Sequence, residues 1–319
     1  MWLGTTDGLC RYDGMRFKIY RRTAEDTSLI SHNNILSLFT DTKGRVWAGT
    51  SNGLNRYNEK TDAFEYAGGR QVWAIYEDSK GRFWMGGSDG LTLMNHQKNI
   101  HFKIQSTVRS VFEDSQGRIW IGSDKGVSIL EDRNNKTVLT TLSTLLAHAL
   151  PAELRNITSI AADANHKIWI GTQNNGAYCF DPHSGNLTHY QSNKANSQGL
   201  INNNIRRIFL DKNQNLWIGT QEGISIINPL TGNIQNIAHN SANKNSLSQN
   251  SVHSIFQDNN GSVWVGTYFG GANLCYAYNT PFSTLQNDDK TNSISNNVVS
   301  SIEEDRKGNV WIATEGGGL

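Results

Sequence analysis

The chain has 319 residues, with 29 Lys and Arg, 28 Asp and Glu, and a net charge of +1. This charge balance gives no positive field to attract nucleic acid, and no apolar run approaches the roughly 18 residues of a membrane-spanning helix. There are 37 Asn and 30 Gly but only four Pro, and the three Cys form no CxxC pair. Asn and Gly favour turns and oppose helices, so the composition favours many short strands without a disulfide framework.

One tryptophan motif recurs along the whole chain. Eight Trp residues stand in the same local context at intervals of 36 to 49 residues: Trp2, Trp47, Trp84, Trp120, Trp169, Trp217, Trp264 and Trp311. An Asp precedes the Trp by six residues in every case except Trp2. Repeats of this length with several short strands are typical of a β-propeller, and the Gly and Asn content excludes a solenoid of helix pairs.

The first complete unit divides into four predicted strands. They are strand A, ILSLFTD (35–41), strand B, RVWAGT (45–50), strand C, LNRYN (54–58), and strand D, AFEYA (63–67). The D-x-x-G segment between strands A and B predicts a tight turn, in which the Asp accepts backbone N–H bonds and the Gly adopts left-handed backbone. His166 and Gln214 replace this Gly in two units, where we expect strain of about 1 kcal/mol each.

The number of units predicts the number of blades. Six complete units lie at about 33–67, 70–104, 107–142, 155–190, 203–238 and 251–286. The chain ends supply the remainder: strands A and B within 297–319, and strands C and D within 1–20. We therefore predict that residues 1–319 form a single all-β domain, a seven-bladed β-propeller of four-stranded antiparallel blades. The N- and C-terminal segments together close the last blade and hide its open edges.

Two copies of strand B, at Trp2 and at Trp311, compete for one place in that last blade. We expect the C-terminal copy to occupy it, because this copy is attached to its own strand A. In a longer chain, upstream residues would complete the first blade instead, and 297–319 would begin another propeller.

Extra sequence interrupts the pattern in residues 131–155, which include LSTLLAHALPAEL. This stretch is apolar enough to predict one short helix packed on the rim of the propeller. Elsewhere the departures are smaller, such as the missing Ser- and Asn-rich connection from strand D to the next strand A in two units.

One position varies among the units while its neighbours do not. Counting back from the repeated Asp, positions six and three are always aliphatic, and position four is Ser in five units, with Arg207 as the main exception. Position five reads Leu36, Trp73, Arg109, Thr158, Arg206, His253 and Ser300. We expect position five to face the propeller axis, where a Trp platform and Arg donors suit a sugar, above all an acidic one.

The turns between strands B and C lie on the same face as the beginnings of strands A. They add polar groups and the adjacent aromatic residues Tyr268 and Phe269, a combination that often marks a binding surface. The predicted ligand-binding residues are Trp73, Arg109, Arg206, Arg207, His253, Tyr268, Phe269 and Glu222. Purely structural roles stay open for some of them: Trp73 could plug the axis, the Arg residues could pair with Glu222 or Asp124, and His253 could be a rim residue.

The pattern I-x-x-I-x-x-D-x-x-G-x-x-W-I-G-T-x-x-G-L-x-x-Y resembles the two-component regulator propeller repeat, in seven to eight copies over nearly the whole chain. The resemblance implies the periplasmic sensor region of an inner-membrane receptor. In such receptors a second propeller and a β-sandwich precede a membrane helix, and a histidine kinase or a diguanylate cyclase follows. It also implies a homodimer that senses oligosaccharides, with no cofactor. Because the sequence starts with Met-Trp-Leu-Gly, in the middle of a motif, and stops at Gly-Gly-Gly-Leu, we expect a piece of a longer receptor. No signal peptide, membrane segment, kinase or cyclase is visible in it, so the resemblance implies sensing and not catalysis within this chain.

We therefore expect a sensor that binds an oligosaccharide or another small polar ligand and signals through dimer geometry. The main alternative is a non-catalytic scaffold for protein docking, or the sensor region of a diguanylate cyclase. The remaining alternative is a propeller enzyme, either a lyase or a glycosidase. The nine His show no H-x-x-x-H spacing, and the sequence contains no G-x-S-x-G or Walker motif. We accordingly predict no metal ligands, no catalytic residues and no nucleic-acid partner.

Overall fold

The computed structural model describes residues 1–24, 29–95, 98–104, 106–133, 136–146, 149–193, 198–243, 245–276, 299–304 and 310–314. The chain divides into two compact units, Met1–Cys275 and Tyr276–Leu319. Seven antiparallel sheets follow one another in the larger unit, and they are the blades of a seven-bladed β-propeller. The predicted all-β fold is confirmed, and the described residues contain no α-helix.

The blades are numbered along the chain. Blade 1 contains β1 (Trp2–Thr5), β2 (Gly8–Tyr12) and β3 (Phe17–Tyr20). Blade 2 contains β4 (Ile35–Thr40), β5 (Val46–Thr50), β6 (Gly53–Asn58) and β7 (Ala63–Gly68). Blade 3 contains β8 (Val72–Glu77), β9 (Phe83–Gly87), β10 (Gly90–Met94) and β11 (Ile100–Phe102). Blade 4 contains β12 (Val108–Glu113), β13 (Ile119–Ser123), β14 (Gly126–Arg133) and β15 (Lys136–Thr141).

The later blades repeat the same order. Blade 5 contains β16 (Ile157–Ala162), β17 (Ile168–Thr172), β18 (Ala177–Phe180) and β19 (Leu187–Tyr190). Blade 6 contains β20 (Ile205–Leu210), β21 (Leu216–Thr220), β22 (Gly223–Ile227) and β23 (Ile234–Ile237). Blade 7 contains β24 (Val252–Gln257), β25 (Val263–Thr267) and β26 (Ala272–Cys275). In the smaller unit, β27 (Val299–Glu304) pairs with β28 (Val310–Thr314).

Each of blades 2 to 6 is a four-stranded sheet in the order A-B-C-D. The strands of blade 2 begin and end within one residue of the predicted ones. Blade 1 consists of strands B, C and D, and blade 7 of strands A, B and C, within the described part of the chain. The strand D predicted before residue 286 lies outside the described residues.

The choice between the two terminal copies of strand B differs from the prediction. Trp2–Thr5, and not the strand that contains Trp311, pairs with Gly8–Tyr12 as strand B of blade 1. The expectation that the C-terminal copy occupies this place is wrong. Only a two-residue turn separates β1 from β2, so this hairpin forms at a far lower cost in chain entropy than pairing across the length of the chain.

The inserted segment after blade 4 also differs from the prediction. Strand β15 and the 3₁₀ turn Leu142–Thr144 replace the expected helix in its described part. The β-branched residues of KTVLTT favour the strand. The segment still packs on the propeller, because Leu142 and Leu154 are buried in the core between blades 4 and 5.

The glycine of strand B explains how closely neighbouring blades approach. A Cβ atom on Gly122 would lie 2.6 Å from Cγ2 of Ile157, the position-six residue of the next blade. The equivalent clash, at 2.6 to 2.7 Å, recurs in four other blades, at Gly4, Gly86, Gly171 and Gly219. Only a hydrogen side chain fits between these strands, so packing between blades requires the Gly that follows the Trp by two residues in these five blades.

The Asp six residues before each Trp fixes the turn between strands A and B. In blade 4, Asp114 Oδ1 accepts the backbone N–H groups of Gln116 and Arg118, and Oδ2 accepts the Nε1–H of Trp120 at 2.7 Å. The Asp–Trp bond recurs in blades 2, 3, 5, 6 and 7 at 2.8 to 2.9 Å. The prediction that this Asp is a turn residue is confirmed, and its second oxygen in addition holds the Trp.

Two substitutions in that turn adopt the strained backbone expected of them. His166 has φ 62° and Gln214 has φ 66°, where the other blades have Gly with positive φ.

No helix of the described residues has both the length and the apolar character needed to cross a bilayer.

Candidate functional site

A β-bulge in strand A leaves the position-five residue out of the regular pairing with strand B. In each strand A the pairing with strand B skips one residue, as between Val108 and Ser110, and the skipped residue is always the one at position five. A bulge leaves the extra residue unpaired and re-aims its side chain. This is the physical reason why position five varies while positions six, four and three are constrained by packing.

The first candidate cluster joins blades 3 and 4. The guanidinium carbon of Arg109 lies 4.7 Å from the ring centroid of Trp73, within the range of a cation–π contact. Arg109 Nε donates to Asp124 Oδ1 at 3.0 Å, so the structural alternative for this Arg is confirmed. The Nε1–H of Trp73 is buried and has no acceptor among the described residues. A ligand with a hydroxyl or carboxylate oxygen could accept this bond.

The second candidate cluster joins blades 6 and 7. Arg206 Nη1 lies 2.7 Å from His253 Nε2, and the His253 ring stacks on Tyr268 with centroids 5.1 Å apart and planes at 22°. Tyr268 in turn contacts Phe269 edge-on, with centroids 4.2 Å apart. The Nε–H of Arg206 is buried and finds no acceptor in the described part of the chain, and desolvation lowers the pKa of this guanidinium. The cluster thus combines a cation, an imidazole and two aromatic rings that are 53% and 83% exposed.

Arg207 and Glu222 do not join either cluster through a direct bond. Among the described residues neither side chain has an ion-pair or hydrogen-bond partner, so the pairing considered between an Arg and Glu222 does not form. Arg207 stands at position four, where Ser110 and Ser159 accept backbone N–H groups from the next blade. Its side chain reaches solvent, yet the crowding of protein atoms around it desolvates the guanidinium and lowers its pKa.

Two cavities lie away from these clusters. One, of about 400 Å³, lies beside the inserted segment after blade 4 and is lined by Tyr178, His189 and Glu153. Another, of about 320 Å³, lies between blades 1 and 2 near Ser31 and Asn55. Among the described residues, neither cavity is lined by a buried side-chain N–H group that lacks an acceptor, whereas each cluster contains one. No group of three His, Cys, Asp or Glu side chains in the described part of the chain could hold a metal ion.

The structure therefore brings six of the eight predicted residues into two contact clusters. Trp73 and Arg109 form one, and Arg206, His253, Tyr268 and Phe269 form the other.

We did not predict the bulge from the sequence, although the spacing of the aliphatic positions in strand A indicates it. Positions six and three are an odd number apart, yet Ile157 and Ile160 both contact the site of the missing Cβ of Gly122. In a regular strand they would lie on opposite faces.

A known protein family matches the same repeats. The family described as two component regulator propeller matches seven segments that together make up half of the chain: 29–52, 67–89, 103–125, 154–174, 199–222, 246–269 and 293–316. Each segment contains a strand A and a strand B, and so includes one position-five residue. No curated protein matches the sequence.

Solved structures with the same fold include a receptor domain. The chain is 26% identical to a protein described as the extracellular domain of a hybrid two component system, BT3049 of B. thetaiotaomicron, with a TM-score of 0.72. The match covers 99% of this chain but only 44% of the other, so this chain spans less than half the length of that relative.

Two more distant structures show the fold alone. PorZ, a surface component of the type-IX secretion system of Porphyromonas gingivalis, is 18% identical over 86% of this chain and 43% of its own, with a TM-score of 0.65. Virginiamycin B lyase from Staphylococcus aureus is 15% identical over 74% of this chain and 78% of its own, with a TM-score of 0.54. From the seven matched repeats and the confirmed propeller, the chain belongs to the two component regulator propeller family.

Proposed function

We propose that this propeller is the ligand-sensing part of a bacterial two-component receptor, and that it binds a small polar ligand, such as an oligosaccharide, at the bulge positions of strands A. One observation carries the proposal. Trp73 Nε1 and Arg206 Nε are buried N–H groups for which the described residues provide no acceptor, and both belong to bulge residues. A buried donor without a partner costs about 1–3 kcal/mol, which a ligand oxygen would recover on binding.

The chemistry of the two clusters favours a hydroxyl-rich or acidic ligand. Both unsatisfied groups are donors, so the ligand supplies acceptors. Trp73, Tyr268 and Phe269 add aromatic surface on which the apolar face of a sugar ring can pack. Arg206 and Arg207 add positive charge that no carboxylate of the described residues neutralises, which favours a carboxylate or sulfate on the ligand.

The similarity to BT3049 supports a sensory role, because that relative is described as the extracellular domain of a hybrid two component system. We propose the same setting for this chain: a periplasmic position in an inner-membrane receptor, beside a second propeller and a β-sandwich. In this setting the ligand changes the geometry of a homodimer, and a histidine kinase or diguanylate cyclase outside this chain responds. Cross-linking of the full receptor with and without ligand tests this; an unchanged cross-link pattern in a responding receptor would contradict it.

The binding proposal is tested by calorimetric titration of the purified chain with neutral and acidic oligosaccharides. We expect one sugar to bind, and binding to be lost in the Trp73→Ala, Arg206→Ala double variant. Leu36→Ala is the matched control, because Leu36 occupies the same bulge in blade 2 without a polar group. Binding that survives the double variant, or that Leu36→Ala abolishes equally, would contradict the proposed site.

A docking scaffold is the second candidate, and the exposure of Phe269 at 83% favours it. In that case Phe269→Ser would weaken association with another protein domain while no sugar binds to the chain. A lyase is not proposed, since its chemistry needs a carboxylate beside the base, and His253 contacts Arg206 and Tyr268 but no carboxylate within the described residues.

A further inference from the structure

The cluster of blades 6 and 7 differs from the cluster of blades 3 and 4 in its charge balance. Arg109 is paired with Asp124 at 3.0 Å. Arg206 has only the neutral acceptor His253, and Arg207 beside it on β20 has no ion-pair partner among the described residues. Because no carboxylate of the described residues pairs with Arg206, its guanidinium makes this part of the site electropositive. An anion is therefore the ligand group that would gain most here.

The bond between Arg206 and His253 fixes the protonation state of the imidazole. A guanidinium has donors only, so at 2.7 Å His253 Nε2 must be the acceptor. His253 is therefore neutral, with its proton on Nδ1. Partial desolvation, and then the positive charge of Arg206, lower the pKa of His253 below the usual value.

Protonation of His253 would break this bond and change what the cluster can bind. The imidazolium has no lone pair to accept from Arg206, and the two cations would repel each other. Arg206 would then have free donors on Nη1 as well as on the already unsatisfied Nε. An oxyanion placed between Arg206 and His253 would accept from both and replace the repulsion by two charge-assisted hydrogen bonds.

We propose that Arg206 and His253 form an oxyanion subsite that takes up one proton on His253 when the anion binds. The subsite accepts a carboxylate or sulfate carried on a ring that packs against Tyr268 and Phe269. This inference rests on the proposed function and adds the ligand's charge and its pH dependence. The described groups that face His253 from neighbouring elements are Arg206 of β20 and Tyr268 after β25, so no carboxylate competes with the anion.

The pH dependence follows from linkage. Uptake of one proton on binding strengthens anion affinity by up to about tenfold for each unit that the pH falls, between the pKa values of His253 in the bound and the free protein. A neutral ligand at the same site would show no such increase. Binding that strengthens as the pH falls is therefore the signature that separates this subsite from an ordinary sugar site.

The test follows the imidazole resonances of His253 by NMR in the full chain between pH 8 and pH 5. The probes are sodium sulfate and glucuronate, with glucose as the neutral counterpart and sodium chloride at equal ionic strength as the salt control. We expect both anions, but not glucose or chloride, to raise the pKa of His253. The exposed His183 is the internal control and should not respond.

Two variants complete the test. In Arg206→Gln the response of His253 to either anion should disappear, and in His253→Gln the affinity for the anions should lose its pH dependence. If His253 responds to glucuronate but not to sulfate, binding depends on the sugar ring and not on the negative charge, and this result would overturn the oxyanion subsite. An unchanged His253 also overturns it. If an oligosaccharide then still binds through Trp73, the proposed function stands and only this inference fails.

Discussion

Replacement of Gly122 by Ala tests the contact on which neighbouring blades depend. The new methyl carbon would lie 2.6 Å from Cγ2 and 3.1 Å from Cβ of Ile157, and 3.3 Å from Cδ1 of Ile160. Ile157 is fully buried in strand A of the next blade and cannot turn away without moving that strand. Overpacking of this kind costs about 1–3 kcal/mol, more than the 0.4–1 kcal/mol or so that Ala gains over Gly through the unfolded chain.

The assay is thermal and urea unfolding of Gly122→Ala beside the parent chain. For a chain of this length, 1 kcal/mol corresponds to about 1.5 °C in Tm, so a net cost of about 1–2 kcal/mol predicts a decrease of roughly 1.5 to 3 °C. The double variant Gly122→Ala, Ile157→Ala removes the contacting methyl group and should be less destabilised than the sum of the two single variants. Unchanged stability of Gly122→Ala, or strict additivity in the double variant, would refute the packing argument.

Three further predictions concern the turns and the charges. Gln214→Gly should raise the unfolding free energy by about 1 kcal/mol, measured by urea unfolding, because Gly adopts the left-handed backbone at φ 66° without strain; a loss of stability would contradict this. Asp114→Asn should lower the unfolding free energy by about 2–3 kcal/mol in the same assay, because the Nε1–H of Trp120 loses its acceptor Oδ2. For the same reason the Trp120 indole N–H should exchange faster with solvent. Asp62 accepts hydrogen bonds from Lys18, Tyr20 and Tyr57, and these bonds lower its pKa in the folded protein. Its contribution to stability is therefore complete above its pKa in the unfolded chain, near 3.8, and is lost as the pH falls toward its pKa in the folded protein. The difference in unfolding free energy between the parent chain and Asp62→Asn should shrink between pH 6 and pH 2, and a constant difference would exclude this role for Asp62.

The blades could be predicted from the sequence because their determinants are local. Strands A and B and the turn between them lie within about 16 residues, and the Asp114–Trp120 bond that joins them spans six residues. The same locality explains the error at the N-terminus, where β1 pairs with the strand that follows it directly. The apolar content of LSTLLAHALPAEL predicts a helix, but its described part forms only the 3₁₀ turn Leu142–Thr144, directly after the β-branched residues of KTVLTT have extended the sheet as β15.

The candidate site could be predicted only in part. Variation at position five identified the residues, but not which of them meet. Arg206 and His253 are 47 residues apart, and their contact depends on the bulges of two neighbouring strands A. The pairing of Arg109 with Asp124 was one of the open alternatives, whereas its position over the Trp73 ring depends on how closely blades 3 and 4 approach. Contacts between blades follow from packing geometry, which a single repeat does not encode.

The most direct test of the ligand site is the indole ¹⁵N–¹H spectrum of the chain during titration with acidic and neutral oligosaccharides. Among the described Trp residues, Trp73 has a buried Nε1–H without an acceptor, and Trp73→Phe assigns its signal. We expect a bound sugar to shift the Trp73 signal, while the signal of Trp120, whose indole N–H is already bonded to Asp114, stays in place. A sugar that binds without moving the Trp73 signal would contradict the assignment of the bulge positions as the ligand site.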